Sequence, residues 1–226
     1  MFWKKKKSAP DYWEAYLAAF SERVVDRQAI AKIPFWVMDT ETTGLDPKKD
    51  ELLSIAGIPL QGYTMRLEDS FECLLKQKRP PGRESIPIHG ILPAQKVSTI
   101  SLESVLPELL AKIGKRIIVG HHIRFDVQML NKSIKSITGG QLQNKVLDTA
   151  DLARRLPAFR KKRMEEPISL DHLCAYFALK KHGRHTAVGD TFLTARILCA
   201  LLKALEKQGL KTRGDLLRKP LKIHRY

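Results

Sequence analysis

The sequence predicts one α/β domain built on a mixed sheet with helices on both faces. Three observations lead there. After Pro34, three apolar runs follow one another with only turn residues between them, the mark of an antiparallel meander. From Ser101 onward, helical and strand-like periods alternate. The chain of 226 residues, 43% of them hydrophobic, is long enough to bury a core.

Each element has its own signal. Tyr12, Trp13, Tyr16, Leu17, Phe20 and Val24 recur at three- and four-residue steps, so the spacing predicts an amphipathic helix that packs on the domain or docks to a partner. Phe35-Trp36-Val37-Met38 is a buried strand ending in Asp39. Thr43-Gly44-Leu45-Asp46-Pro47 supplies turn chemistry, Glu51 to Pro59 forms a second strand, and Met65 to Leu75 a third. A Pro- and Gly-containing loop covers Arg79 to Pro87. Leu102 to Ile113 is helical in spacing, with Ser101 as N-cap. Arg116 to Gly120 is a strand, and Phe125 to Ile137 a helix stopped by Gly139-Gly140. A strand at Lys145 to Leu147 precedes helices at Thr149 to Leu156, Leu170 to Leu179 and Gly189 to Lys207. The organisation expected is a basic extension with a helix over 1–33, the α/β domain over 34–208, and a basic tail over 209–226 that is loose from Lys211.

Composition narrows the partners. Forty Lys and Arg against 24 Asp and Glu leave a formal net charge of +16. A surplus of this size suits a polyanion, because each neutralised phosphate releases condensed counterions. Cys73, Cys174 and Cys199 are odd in number and form no CxxC pair, which fits a reducing compartment and argues against a disulfide scaffold or zinc site. MFWKKKKSAP is basic with no apolar stretch behind it, and the run Ile197 to Leu202 is far too short to span a bilayer. A cytoplasmic protein with no membrane role is expected.

The acidic residues at element ends carry the chemistry. Asp39 and Glu41 lie two apart on a strand, hence on one face, where they can converge on one cation. Carboxylates that close repel unless a positive charge lies between them, and Mg²⁺ or Mn²⁺ with oxygen ligands answers that need. Asp126 and Asp190 each open a helix, where complementing the dipole and capping are sufficient reasons for an acid. His185 precedes Asp190 by five positions, out of helical phase with it, between Gly183 and Gly189. A loop histidine there is suited to take a proton from water.

Taken in order, Asp39-Thr40-Glu41, Phe125-Asp126 and His185-xxxx-Asp190 resemble the three motifs of the DEDDh 3′→5′ exonuclease family. The resemblance is to its branch of bacterial DNA polymerase III proofreading (epsilon) subunits and their stand-alone relatives. Asp39 to Leu45 (DTETTGL), Ile88-His89-Gly90-Ile91 and Leu147-Asp148-Thr149 match as well, and the likeness spans residues 34 to 205. One position departs: these relatives usually have His-Asn before their Phe-Asp, where this chain has His121-His122.

The resemblance implies an RNase H-like fold and hydrolysis of 3′ ends to nucleoside 5′-monophosphates. It implies that Asp39, Glu41 and Asp190 hold one of two divalent cations, Mg²⁺ or Mn²⁺. Asp39 would bridge to the second, Asp126 would support the site, and His185 would act as general base. Thr42, Thr43 and Leu45 are candidates to line the place of the terminal nucleotide, and His89 to meet its sugar or base. The expected substrate is a single-stranded or frayed 3′ end, DNA favoured, with a DNA polymerase as possible partner. An RNA-trimming exoribonuclease with the same centre is the alternative within the class. An inactive nucleic-acid-binding subunit of a polymerase is the alternative outside it.

Overall fold

The computed structural model describes residues 9–22, 25–77, 98–160 and 166–218. A six-stranded sheet organises them. β1 (Pro34–Thr42) is central, antiparallel to β2 (Leu52–Gln61) on one side. On its other side it is parallel to β5 (Ile117–Gly120), which is parallel in turn to β6 (Val146–Asp148). β3 (Thr64–Met65) and β4 (Phe71–Leu74) both pair with the outer edge of β2. This is the expected order of three antiparallel segments followed by strands alternating with helices.

The third strand is not continuous, as Met65 to Leu75 had suggested. A 3₁₀ turn at Leu67–Asp69 separates β3 from β4. Arg66 N–H donates to Pro59 O, but Pro59 has no N–H to return, so the ladder cannot continue through it.

The two faces of β1 build two cores. Phe35 and Val37 belong to one, packed against α7 (Ala187–Glu206) and α4 (Thr149–Ala153). Trp36 and Met38 belong to the other, with α2 (Leu102–Ile113) and α3 (Arg124–Thr138). Alternation along the strand thus assigns odd positions to α7 and even positions to α3, and this parity continues into the acidic end of the strand. Helices cover both faces, as expected. The stretch read as one helix from Thr149 to Leu156 is helical only as far as Ala153, and a separate turn, α5 (Pro157–Arg160), follows it. Pro157 lacks the N–H an unbroken helix would need. The expected helix at Leu170 is α6 (Leu170–Tyr176).

Both ends of the described chain are folded onto this domain. α1 (Asp11–Ala18) buries Trp13 and Tyr16 in the second core. The Tyr16 hydroxyl donates to Asn144 Oδ1 at 2.5 Å and accepts from Gln143 N–H at 2.8 Å, so the helix is tied to the connection before β6. Lys211 to Arg218, expected as part of a loose tail, is a correction. α8 (Arg213–Leu217) begins with a Thr212–Asp215 capping box and buries Leu216. Arg155 donates to the backbone oxygens of Asp215, Leu216 and Arg218 at 2.8, 3.0 and 2.7 Å. A basic composition concealed one buried leucine and a guanidinium supplied from elsewhere in the chain.

Candidate active site

The acidic residues meet at the end of β1. Asp39 pairs in register with Ala56 of β2, and the Thr191 hydroxyl of α7 reaches Ala56 O at 3.4 Å. That contact brings the first turn of α7, with Asp190, beside Asp39. Asp39 and Glu41 share the odd parity of Phe35 and Val37, so both are on the α7 side of the sheet. Thr40 has the opposite parity and faces α3. Its N–H and its hydroxyl both donate to Asp126 Oδ1, at 3.0 and 2.6 Å. Asp126 is only 6% exposed, so these two bonds hold a buried carboxylate.

Mutual repulsion marks the cluster electrostatically. Burial and the neighbouring charges of Asp126, Asp190 and Glu41 hold the Asp39 carboxyl well above the usual range. Glu41 is pushed up to about 7 by burial and by Asp190 and Asp126. Asp126 rises to about 6, burial outweighing the bonds from Thr40. Protonation relieves such crowding, and so does a cation.

Arg184 is the basic side chain that opposes this repulsion at both Asp39 and Glu41. Its Nη1 contacts both oxygens of Asp190, and its Nε donates to Asp171 Oδ1 at 3.1 Å. Among the described residues, no three His, Cys, Asp or Glu side chains are gathered at ligating distance of one point. The donor set fits a hard divalent cation in its chemistry: all oxygen, half-buried to buried, and short of positive charge.

His185 is exposed on the turn between Gly183 and α7, as the flanking glycines suggested. Its backbone is left-handed, with φ 63°, and Gly183 is left-handed at 65°. Gly189 lets this turn close. A Cβ there would lie 1.8 Å from Gly183 O, and Thr186 completes the turn by donating to that same oxygen at 2.8 Å.

The loop after β1 divides the other candidates. The Thr42 hydroxyl donates to Gly44 O at 2.7 Å. That of Thr43 donates to Asp50 Oδ1 at 2.9 Å and accepts from Glu51 N–H at 3.0 Å. Both hydroxyls are spent on the shape of the loop, which presents Leu45 with 85% of its surface exposed. His89 and its Ile88–Ile91 motif lie outside the described residues. Phe125 packs partly buried against the Trp36–Met38 side.

The matching segment Leu147-Asp148-Thr149 acquires a physical reason. Asp148 accepts from Ile123 N–H through Oδ2 at 3.1 Å and from Ala150 N–H through Oδ1 at 2.9 Å. One carboxylate therefore ties the start of α4 to the loop that delivers Asp126. Thr149 donates to Gly120 O at 3.2 Å and meets His121 Nδ1 at 2.8 Å. Burial, aided by His122, drives the His121 imidazole down to about 3, so it stays neutral. His122, the position at which Asn was expected, is left-handed with φ 56°. Asn, Asp and His are the non-glycine residues enriched in that region. Sequence reasoning missed Thr40, Arg184 and Asp171. Each acts through a contact made in space, and no spacing rule marks it.

Residues 36–198 match the RNase_T family model, described as Exonuclease, and the chain belongs to that exonuclease family. All five residues of the DEDDh pattern fall within the match. Among relatives, the chain is 32% identical over 207 residues to the DNA polymerase III PolC-type protein of Thermotoga maritima, covering 90% of this chain and 15% of that protein. It is 31% identical over 172 residues to the DNA polymerase III subunit epsilon of Aquifex aeolicus, covering 76% of this chain and 81% of the subunit. The chain thus spans about a seventh of the PolC-type relatives and most of the epsilon subunit. Escherichia coli exonuclease I in complex with a dT13 oligonucleotide superposes with a TM-score of 0.66 at 19% identity, over 79% of this chain and 43% of that one. Exonuclease X in complex with 5′ overhanging duplex DNA gives 0.59 at 22%, over 81% and 97%. These two likenesses carry the RNase H-like fold.

Proposed function

We propose that this chain is a metal-dependent 3′→5′ exonuclease that releases nucleoside 5′-monophosphates from single-stranded or frayed 3′ ends, with DNA as its substrate. The observation that carries the reading is the convergence of Asp39, Glu41, Asp126 and Asp190 at the end of β1, with His185 on the adjoining turn. DNA is favoured because the relatives above are DNA polymerase III proteins, and a polymerase is the proposed partner. The sparse, unpaired cysteines support action in the cytoplasm.

Asp39, Glu41 and Asp190 would hold one divalent cation, Mg²⁺ or Mn²⁺, with Asp39 shared with a second and Asp126 supporting. When bound, such a pair supplies Lewis acidity, acidifying the attacking water and stabilising the departing 3′ oxygen. The residues of the chain do the rest. His185 takes the proton of the attacking water and, being exposed, passes it to solvent. Leu45 offers an apolar surface to the terminal base, which suits a sequence-independent enzyme. Thr42 and Thr43 keep the loop that carries Leu45 in shape. Thr40 orients Asp126 through both of its donors.

The test is a time course on 5′-labelled DNA and RNA oligonucleotides, single-stranded and duplex, with Mg²⁺, Mn²⁺ or EDTA. A ladder shortening from the 3′ end, faster on DNA and abolished by EDTA, is expected. Digestion that persists in EDTA, or internal cutting, would sink the reading. Faster digestion of RNA would reassign the substrate.

A further inference from the structure

Asp190 reaches the cluster already holding a partner. Both of its oxygens are contacted by Arg184 Nη1, while Arg184 Nε is held by Asp171. The side chains of Arg184 and Asp190 are 21% and 13% exposed, so the pair is poorly screened by solvent. Asp171 is more open, at 47%, and also has Lys181 at 3.4 Å. A dication approaching Asp190 meets a guanidinium of like charge on the oxygens it needs. Resting on the reading above, we infer that Arg184 and the divalent cation compete for Asp190.

The turn is built to allow the exchange. Arg184 stands between two left-handed residues, Gly183 and His185, so its side chain is carried on a sharply bent backbone. The turn itself is closed by other groups: Thr186 donates to Gly183 O and accepts from Gly189 N–H, and Gly189 packs against Gly183. The guanidinium can therefore release Asp190 while the turn keeps its form, and Asp171 retains the Nε contact. In this role Arg184 is a positioning residue that sets the cation concentration at which the cluster loads.

The experiment is Mn²⁺ binding to the full chain, followed by the electron paramagnetic resonance signal of the free ion, with circular dichroism to verify folding. Arg184→Gln removes both the charge and the contact, and should tighten binding about tenfold, equivalent to roughly 1.4 kcal/mol. Arg184→Lys keeps the charge but loses the planar fork that spans two carboxylates, and should tighten binding about threefold. A purely long-range field effect would leave Arg184→Lys equal to the unaltered protein, and that result overturns the competition. Binding unchanged or weakened in Arg184→Gln overturns it as well. Should Arg184→Gln not fold, Arg184→Lys decides alone. Asp39→Asn separates this inference from the reading beneath it. If the unaltered chain binds no Mn²⁺, or Asp39→Asn binds as well as it does, the metal centre itself is wrong and both fall. If Asp39→Asn abolishes binding while the Arg184 variants bind as the unaltered chain does, only the competition falls.

Discussion

Thr40 and Asp126, 86 positions apart, are joined by two hydrogen bonds to a single oxygen: the Thr40 N–H at 3.0 Å and its hydroxyl at 2.6 Å both donate to Asp126 Oδ1. The residue between Asp39 and Glu41 therefore positions the third acid. It can do so because strand alternation turns Thr40 toward α3 while its two neighbours face α7.

Thr40→Val should show what that contact is worth. The substitution keeps the volume and the backbone bond but leaves Asp126 short of one donor in a buried setting. Unfolding in urea should register a loss of about 1–3 kcal/mol. Exonuclease turnover should fall roughly 10–100-fold through misplacement of the acid. Wild-type turnover in Thr40→Val would reduce Asp126 to a helix-start residue.

Neutralising an acid of the cluster should separate function from stability. Asp39→Asn should bring exonuclease activity to background. In EDTA it should melt at the same temperature as the unaltered chain or higher, since repulsion with Asp126, Asp190 and Glu41 is relieved. A variant that melts much lower in EDTA would make Asp39 a structural acid.

The raised carboxyls also predict how stability in EDTA depends on pH. Glu41 goes from 4.5 to about 7 on folding, and Asp126 from 3.8 to about 6. Between those limits the folded chain holds protons that the unfolded chain has released. Their stabilisation is fully present below about pH 4 and lost as pH rises through 6 and 7. Melting in EDTA should therefore drop between pH 5 and 7.5, and saturating Mg²⁺ should flatten that slope. A melting temperature rising across this window in EDTA would contradict the burial and crowding that raise these carboxyls.

The two exposed left-handed histidines should part company. His185→Ala should slow turnover by roughly 10²–10⁴-fold, the range for loss of a general base, with little change in Mn²⁺ binding. His122→Asn should retain full activity and equal or slightly greater stability, because Asn suits its φ of 56°. Activity that survives His185→Ala and fails in His122→Asn would exchange their roles.

Strand binding should be read through salt. Affinity for single-stranded DNA should fall linearly on a log–log plot, each phosphate contact contributing a slope of about −0.7. A chain ending at Arg218 tests residues 219–226 without cutting into the folded segment that holds Leu216 and Thr212. A flatter slope would assign phosphate contacts to those residues. An identical slope would leave them to solubility and the strand to the α/β domain.

The sequence by itself determined the succession of strands and helices along the chain and singled out the acidic residues at their ends. A strand with β1's apolar run and alternation can be recognised locally, because its period and its turns are properties of neighbouring residues. The DTE, FD and HxxxxD motifs were legible for the same reason, each being a short string at an element end. The break at Pro59, the division of labour between the threonine hydroxyls and Leu45, and the docking of Lys211 to Arg218 were decided by tertiary structure. So were the partners of the acids. Thr40 on Asp126 and Arg184 on Asp190 and Asp171 depend on which helix covers which face of β1, and on the bend of one turn. Those contacts are set by the packing of two cores across a shared sheet, and packing selects among partners that are far apart in the chain and unremarked in its local pattern.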